Sequence, residues 1–80
     1  MKVRVLFFGH LKDRSGESEQ VDIAPPACVR DVLNLLCDRH PELWHWLGFT
    51  RIAVNMEYAS PDTPLHEGDE IALLPPMSGG

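Results

Sequence analysis

The chain ends in Pro75-Pro76-Met77-Ser78-Gly79-Gly80, and the chemistry on offer there is that of a carboxyl group. A free α-carboxylate, with a reference pKa of about 3.3–3.7, is a resonance-stabilised anion at neutral pH and a poor acyl donor. It needs a leaving group. Adenylation by a partner enzyme would supply AMP as that group, and sulfide could displace it to leave a terminal thiocarboxylate, as could a persulfide once a thiol cleaves the acyl disulfide it forms. On the expectation that Gly80 is the true end of the protein, it is a candidate sulfur donor. Gly79 and Gly80 carry no Cβ, so the backbone can enter a narrow channel and take angles closed to other residues. From Met77 to Gly80 the chain extends at most roughly 13–14 Å, enough to reach a neighbour's active site. Pro75-Pro76 fixes φ and favours an extended exit. Inside a chain, a Gly-Gly pair is ordinary turn or linker material, so the context of this one decides its meaning.

Elsewhere the chemical inventory is thin. His10, His40, His45 and His66 fall on different elements, with no H-E-x-x-H pair and no cysteine cluster, so no metal site is expected and the histidines read as surface residues. Cys28 opens a predicted helix and Cys37 lies one position past its apolar stripe; their separation fits neither a redox motif nor a zinc array. Both read as partly buried structural thiols. The chain has no G-x-x-x-x-G-K-[ST] loop, and only Lys2 and Lys12 could offer an ammonium to a triphosphate. It should not bind or hydrolyse ATP alone, and another protein must perform any catalysis.

The elements that must position the chain end belong to one small domain. With 80 residues, the chain buries only about 60–65% of the surface it exposes when unfolded, leaving no room for an enclosed catalytic cleft. We expect a domain over residues 1–76 and a flexible tail over 77–80. No apolar run approaches the roughly 20 residues of a membrane span, and MKVRVLFF enters a strand pattern without the features of a secretory signal. A soluble, cytoplasmic protein is expected. A formal charge of −5 argues against nucleic acid and for a partner with a basic surface. The densest acidic run is Glu67-Gly68-Asp69-Glu70.

Val3, Val5 and Phe7 alternate with Arg4, Leu6 and Phe8, the period of a strand with one face on a core. Lys12 to Gly16 supplies turn residues, and Glu19–Ile23 alternates again as a hairpin partner until Pro25-Pro26. From about Ala27 to Arg39, Val29, Val32, Leu33 and Leu36 form an amphipathic helical stripe. His40-Pro41 ends that helix, and Pro41 suits the first position of a short new turn through Leu43-Trp44. Both tryptophans read as packing residues. Arg51–Asn55, Glu57–Ala59 and, after a turn at His66–Asp69, Glu70–Leu74 complete the strands. This order in so short a chain predicts an α+β domain, a single mixed sheet of about five strands with one helix across a face.

The opening VLFFGHLKD, the Val54-Asn55 strand end and above all PLHEGDEIALLPPMSGG resemble the small-subunit family of molybdopterin synthase, ubiquitin-like β-grasp sulfur carriers. The resemblance spans nearly the whole chain. It implies that an E1-like adenylyltransferase uses ATP and magnesium to activate Gly80, and that a sulfur donor then makes the thiocarboxylate. It further implies docking on a large synthase subunit, as a heterotetramer, and sulfur delivery to cyclic pyranopterin monophosphate in molybdenum cofactor biosynthesis. The docking face implied includes Phe8, Tyr58 and Leu74, with Pro75, Pro76, Met77, Ser78 and Gly79 entering the partner. Phase agrees for two of these: Phe8 and Leu74 lie opposite the core-facing set of Val3, Val5, Phe7, Ile71 and Leu73. A sulfur carrier of thiamine synthesis or another thiolation pathway shares the terminal Gly-Gly. A ubiquitin-like modifier, whose activated end forms an isopeptide bond with a lysine, remains the reading from a different class.

Overall fold

The computed structural model describes residues 1–8, 18–48 and 50–74. The expected hairpin turn at Lys12–Gly16, His10 and the whole segment from Pro75 to Gly80, including the boundary between domain and tail, lie outside the described residues.

The amino-terminal strand β1, Lys2–Phe7, pairs antiparallel with β2, Ser18–Asp22, from Lys2↔Asp22 to Leu6↔Ser18. Helix α1, Val29–Arg39, follows, and after a 3-10 turn at Pro41–Leu43 comes the single-turn helix α2, Trp44–Leu47. Strands β3, Arg51–Val54, and β4, Glu57–Tyr58, form a tight hairpin, and β5, Glu70–Leu74, closes the described chain. The five strands form one sheet in the order β2-β1-β5-β3-β4. The pairing of β5 with β1 is parallel and all others are antiparallel. This is the mixed α+β β-grasp sheet expected, and its last strand is the central one.

Alternation decides what each strand buries. Val3, Val5 and Phe7 of β1, Val21 of β2, and Ile71 and Leu73 of β5 are buried, meeting Val29, Val32 and Leu36 of α1 and Leu43 of the 3-10 turn. The helix begins at Val29, two residues later than the expected start at Ala27. Cys28 is extended (φ −125°, ψ 176°), held so by a bridge to Pro64 and by its N–H donating to the Asp31 carboxylate at 2.8 Å. Asp31 in the first turn and Arg39 in the last both complement the helix dipole.

The hairpin between β3 and β4 turns through Asn55 and Met56, both with positive φ (51° and 73°). That conformation matches the right-handed strand twist but is unfavourable for side chains other than glycine and asparagine. Asn55 secures it: its amide donates to Asp69 at 2.9 Å, its carbonyl accepts from the Glu70 N–H at 3.0 Å, and its own N–H donates to the Glu70 carbonyl at 2.8 Å. The turn is therefore tied to the start of β5.

One packing expectation is corrected. Trp46 packs against the core, but Trp44 is 63% exposed. A helix of one turn presents only one narrow side inward, and Leu43, Trp46 and Leu47 occupy it.

Candidate functional site

The helix covers one face of the sheet, and the other face carries the candidate site. The register places Leu6 beside Ala72, Ala72 beside Ala53 and Ala53 beside Tyr58, an apolar row crossing four strands. One step along, the Phe8 N–H donates to the Leu73 carbonyl at 3.2 Å, and Leu74 pairs with Arg51. Phe8, Leu74 and Arg51 therefore form a second row at the end of the sheet where β5 stops. Phe8 is 41% exposed and Tyr58 70%. Leu74 is half-buried and not openly exposed, because the central strand is flanked by neighbours on both sides. The structure thus brings Phe8, Tyr58 and Leu74 onto one face. Pro75, Pro76, Met77, Ser78, Gly79 and Gly80 lie outside the described residues; the strand that leads into them ends between Phe8 and Arg51.

Cations border the apolar rows. The Arg51 guanidinium stands 5.9 Å from the centroid of the Tyr58 ring, a cation–π placement. Lys2 and Arg4 lie further along β1 on the same face and are exposed. Lys2 and Arg4 stand across from Asp22 and Glu70 on that face, so its far end is of mixed charge, while the apolar rows themselves are bordered by the cation of Arg51.

Sequence reasoning missed a polar cluster on the opposite face. Glu19 of β2 accepts from Arg39 at 2.6 Å and lies 2.7 Å from His40 Nε2, at the carboxyl end of α1. The His40 ring meets Phe7 edge-on with centroids 6.4 Å apart. Partial burial alone would raise the Glu19 pKa, but hydrogen bonds and charge from His40 and Arg39 outweigh it and hold the carboxyl below its usual range. His40 is thus a packed, paired residue and not a plain surface histidine. The signal available in sequence was the out-of-pattern glutamate on the core phase of β2.

The thiols match the structural reading. Both cysteines are free; Cys37 is buried, and that burial, with the Asp38 charge nearby, raises its pKa, which disfavours the thiolate. Among the described residues no three His, Cys, Asp or Glu side chains gather into a metal-holding group, and no helix is long and apolar enough to cross a membrane.

A five-stranded mixed sheet gripping one long helix, with an apolar open face beside the end of its central strand, defines a ubiquitin-like β-grasp protein. The chain belongs to the ThiS family, whose model matches residues 5–80. It is 34% identical over 83 residues to the molybdopterin synthase sulfur carrier subunit of Chlamydomonas reinhardtii, an alignment covering 100% of both chains. Among solved structures, SAMP1 from Haloferax volcanii superimposes with a TM-score of 0.88 at 30% identity, covering 100% of each chain. A chain from the complex of subunits 1 and 2 of molybdopterin-converting factor from Helicobacter pylori matches with a TM-score of 0.73 at 33% identity, again over 100% of each.

Proposed function

We propose that this chain is the sulfur carrier subunit of a molybdopterin synthase. The observation that carries the reading is full-length similarity to a carrier subunit of that name, on a fold whose apolar open face adjoins the exit of β5. In the proposed cycle an E1-like adenylyltransferase, using ATP and magnesium, joins the Gly80 carboxylate to AMP with release of pyrophosphate. Sulfide-level sulfur from a sulfur donor then attacks the acyl carbon, the bond to AMP breaks, and a thiocarboxylate is left on Gly80. Phe8, Tyr58 and Leu74 dock on the large synthase subunit, while Pro75 to Gly79 lead the loaded end into its active site. Sulfur passes there to cyclic pyranopterin monophosphate. This chain supplies the carrier and the docking surface, and its partners supply the catalysis.

The likeness to SAMP1, a small archaeal modifier protein, favours a second reading, in which the activated end forms an isopeptide bond with lysine. Mass spectrometry of the chain purified from its own cells separates the two. The carrier reading expects a population in which one carboxyl oxygen has become sulfur, dependent on the E1-like gene, and co-purification of a large subunit. Lysine-linked adducts without any thiocarboxylate would overturn it.

A further inference from the structure

Among the described residues four large hydrophobic side chains are exposed, and two of them, Trp44 and Tyr58, border one groove of about 650 Å³. Leu33, Leu47 and Ile52 contribute apolar surface to it, and Arg51 lies on its rim. Exposed aromatic walls over an aliphatic floor are costly on a free surface and suit a partner that covers them. The backbone adds a second feature. The Ala59 N–H donates to the Ile52 carbonyl at 2.9 Å, so Ile52 and Ala59 form a hydrogen-bonded pair and the adjacent Ala53↔Tyr58 pair is of the open kind. The amide and carbonyl of Tyr58 therefore point away from β3, and β4 is an edge strand.

We propose that this groove receives an extended, acidic-apolar peptide segment of the protein that docks on the open face. The segment pairs its main chain with Tyr58, sets an apolar side chain between Trp44 and Tyr58, and places a carboxylate on Arg51. Two observations select this occupant. Tyr58 and Arg51 belong to both surfaces, so a partner covering Phe8, Leu74 and Tyr58 already stands at the groove. The cation at the rim of an otherwise acidic chain calls for a negative group at that point and not for the basic surface that net charge alone suggests.

The inference rests on the carrier reading, and its test uses the cognate large subunit as the probe. Titration against the parent, Trp44→Ala, Arg51→Glu and Phe8→Lys should show at least fivefold weaker binding for Trp44→Ala and for Arg51→Glu, with melting temperatures near the parent's. Loss of a large aromatic anchor from an interface has effects of this size or larger. Binding should also shift the Trp44 fluorescence to shorter wavelength, a change absent in Trp44→Phe. Parent-like binding by Trp44→Ala and Arg51→Glu, with Phe8→Lys weakened, overturns the groove and leaves the docking face standing. Parent-like binding by all three variants overturns both. Concentration-dependent dimerisation of the isolated chain that Trp44→Ala abolishes would assign the groove to a second copy and overturn the proposal.

Discussion

The two faces of the sheet are built from the same strands and differ by one residue of phase. On the helix side, Val3, Val5, Phe7, Ile71 and Leu73 are removed from water. On the open side, the end of the sheet where β5 stops is apolar too, with Leu6, Phe8, Ala72, Leu74 and Tyr58, yet nothing among the described residues covers Phe8 and Tyr58. The other end of this face is polar, with Lys2, Arg4, Gln20, Asp22 and Glu70, as a sheet surface turned to water should be, so its apolar end is the exception. The first face stabilises the domain, and the surplus apolarity of the second is best explained by association. The comparison also assigns different costs to neighbouring residues, which makes it testable.

The largest expected effect separates the chain end from both faces. Deleting Gly80, or adding one residue after it, should abolish sulfur transfer in a reconstituted synthase assay while leaving the melting curve unchanged, since the proposed cycle places the reacting carboxyl carbon on Gly80. A carboxyl-terminally tagged protein that still transfers sulfur would break the assignment.

Next in size is the contrast between Phe7 and Phe8. A domain of 80 residues has a total stability of about 4–12 kcal/mol. Removing a buried phenylalanine costs about 3–5 kcal/mol, and an unpaired ammonium in its place adds to that. Phe7→Lys should therefore be largely unfolded by circular dichroism. Phe8→Lys should melt close to the parent but bind the large subunit at least tenfold more weakly, because burying a phenylalanine at an interface is worth about 1.5–3 kcal/mol. Equal melting of the two variants would erase the distinction between the faces.

Much of this contrast is legible in sequence, because the strand period is local. Every strand and the main helix fall within one or two residues of their expected positions, and the phase of Phe7 against Phe8 follows from alternation alone. What local pattern cannot supply is pairing. The parallel contact of β1 with β5 joins residues far apart in the chain, and with it comes the meeting of Phe8 and Leu74. Trp44 was misread because a single helical turn has too few residues to define a period. The Glu19 cluster was missed because its contacts span 20 and 21 positions.

The smallest effect lies at that cluster, on the covered face, where a charged residue occupies a core-phase position. Glu19 has a native pKa held below the ordinary value of 4.5 by His40 and Arg39. In the window below 4.5 the unfolded state therefore binds more protons than the native state, so stability rises with pH. The contribution of Glu19 is fully present above that value and is lost as pH falls through its lowered native pKa. Glu19→Gln retains shape and one hydrogen-bonding oxygen but not the charge, so it should cost about 1 kcal/mol at neutral pH, a shift of several degrees in melting temperature. The cost should shrink as pH is lowered through the acid range below 4.5, because the parent loses the same charge by protonation. Measuring both proteins across that range isolates Glu19 from the other carboxylates, which titrate alike in each. Parent and variant curves that stay parallel down to the acid end would show that the carboxylate at this position is ordinary. The covered face would then owe its stability to apolar packing alone, and Phe7 would not depend on the link through His40.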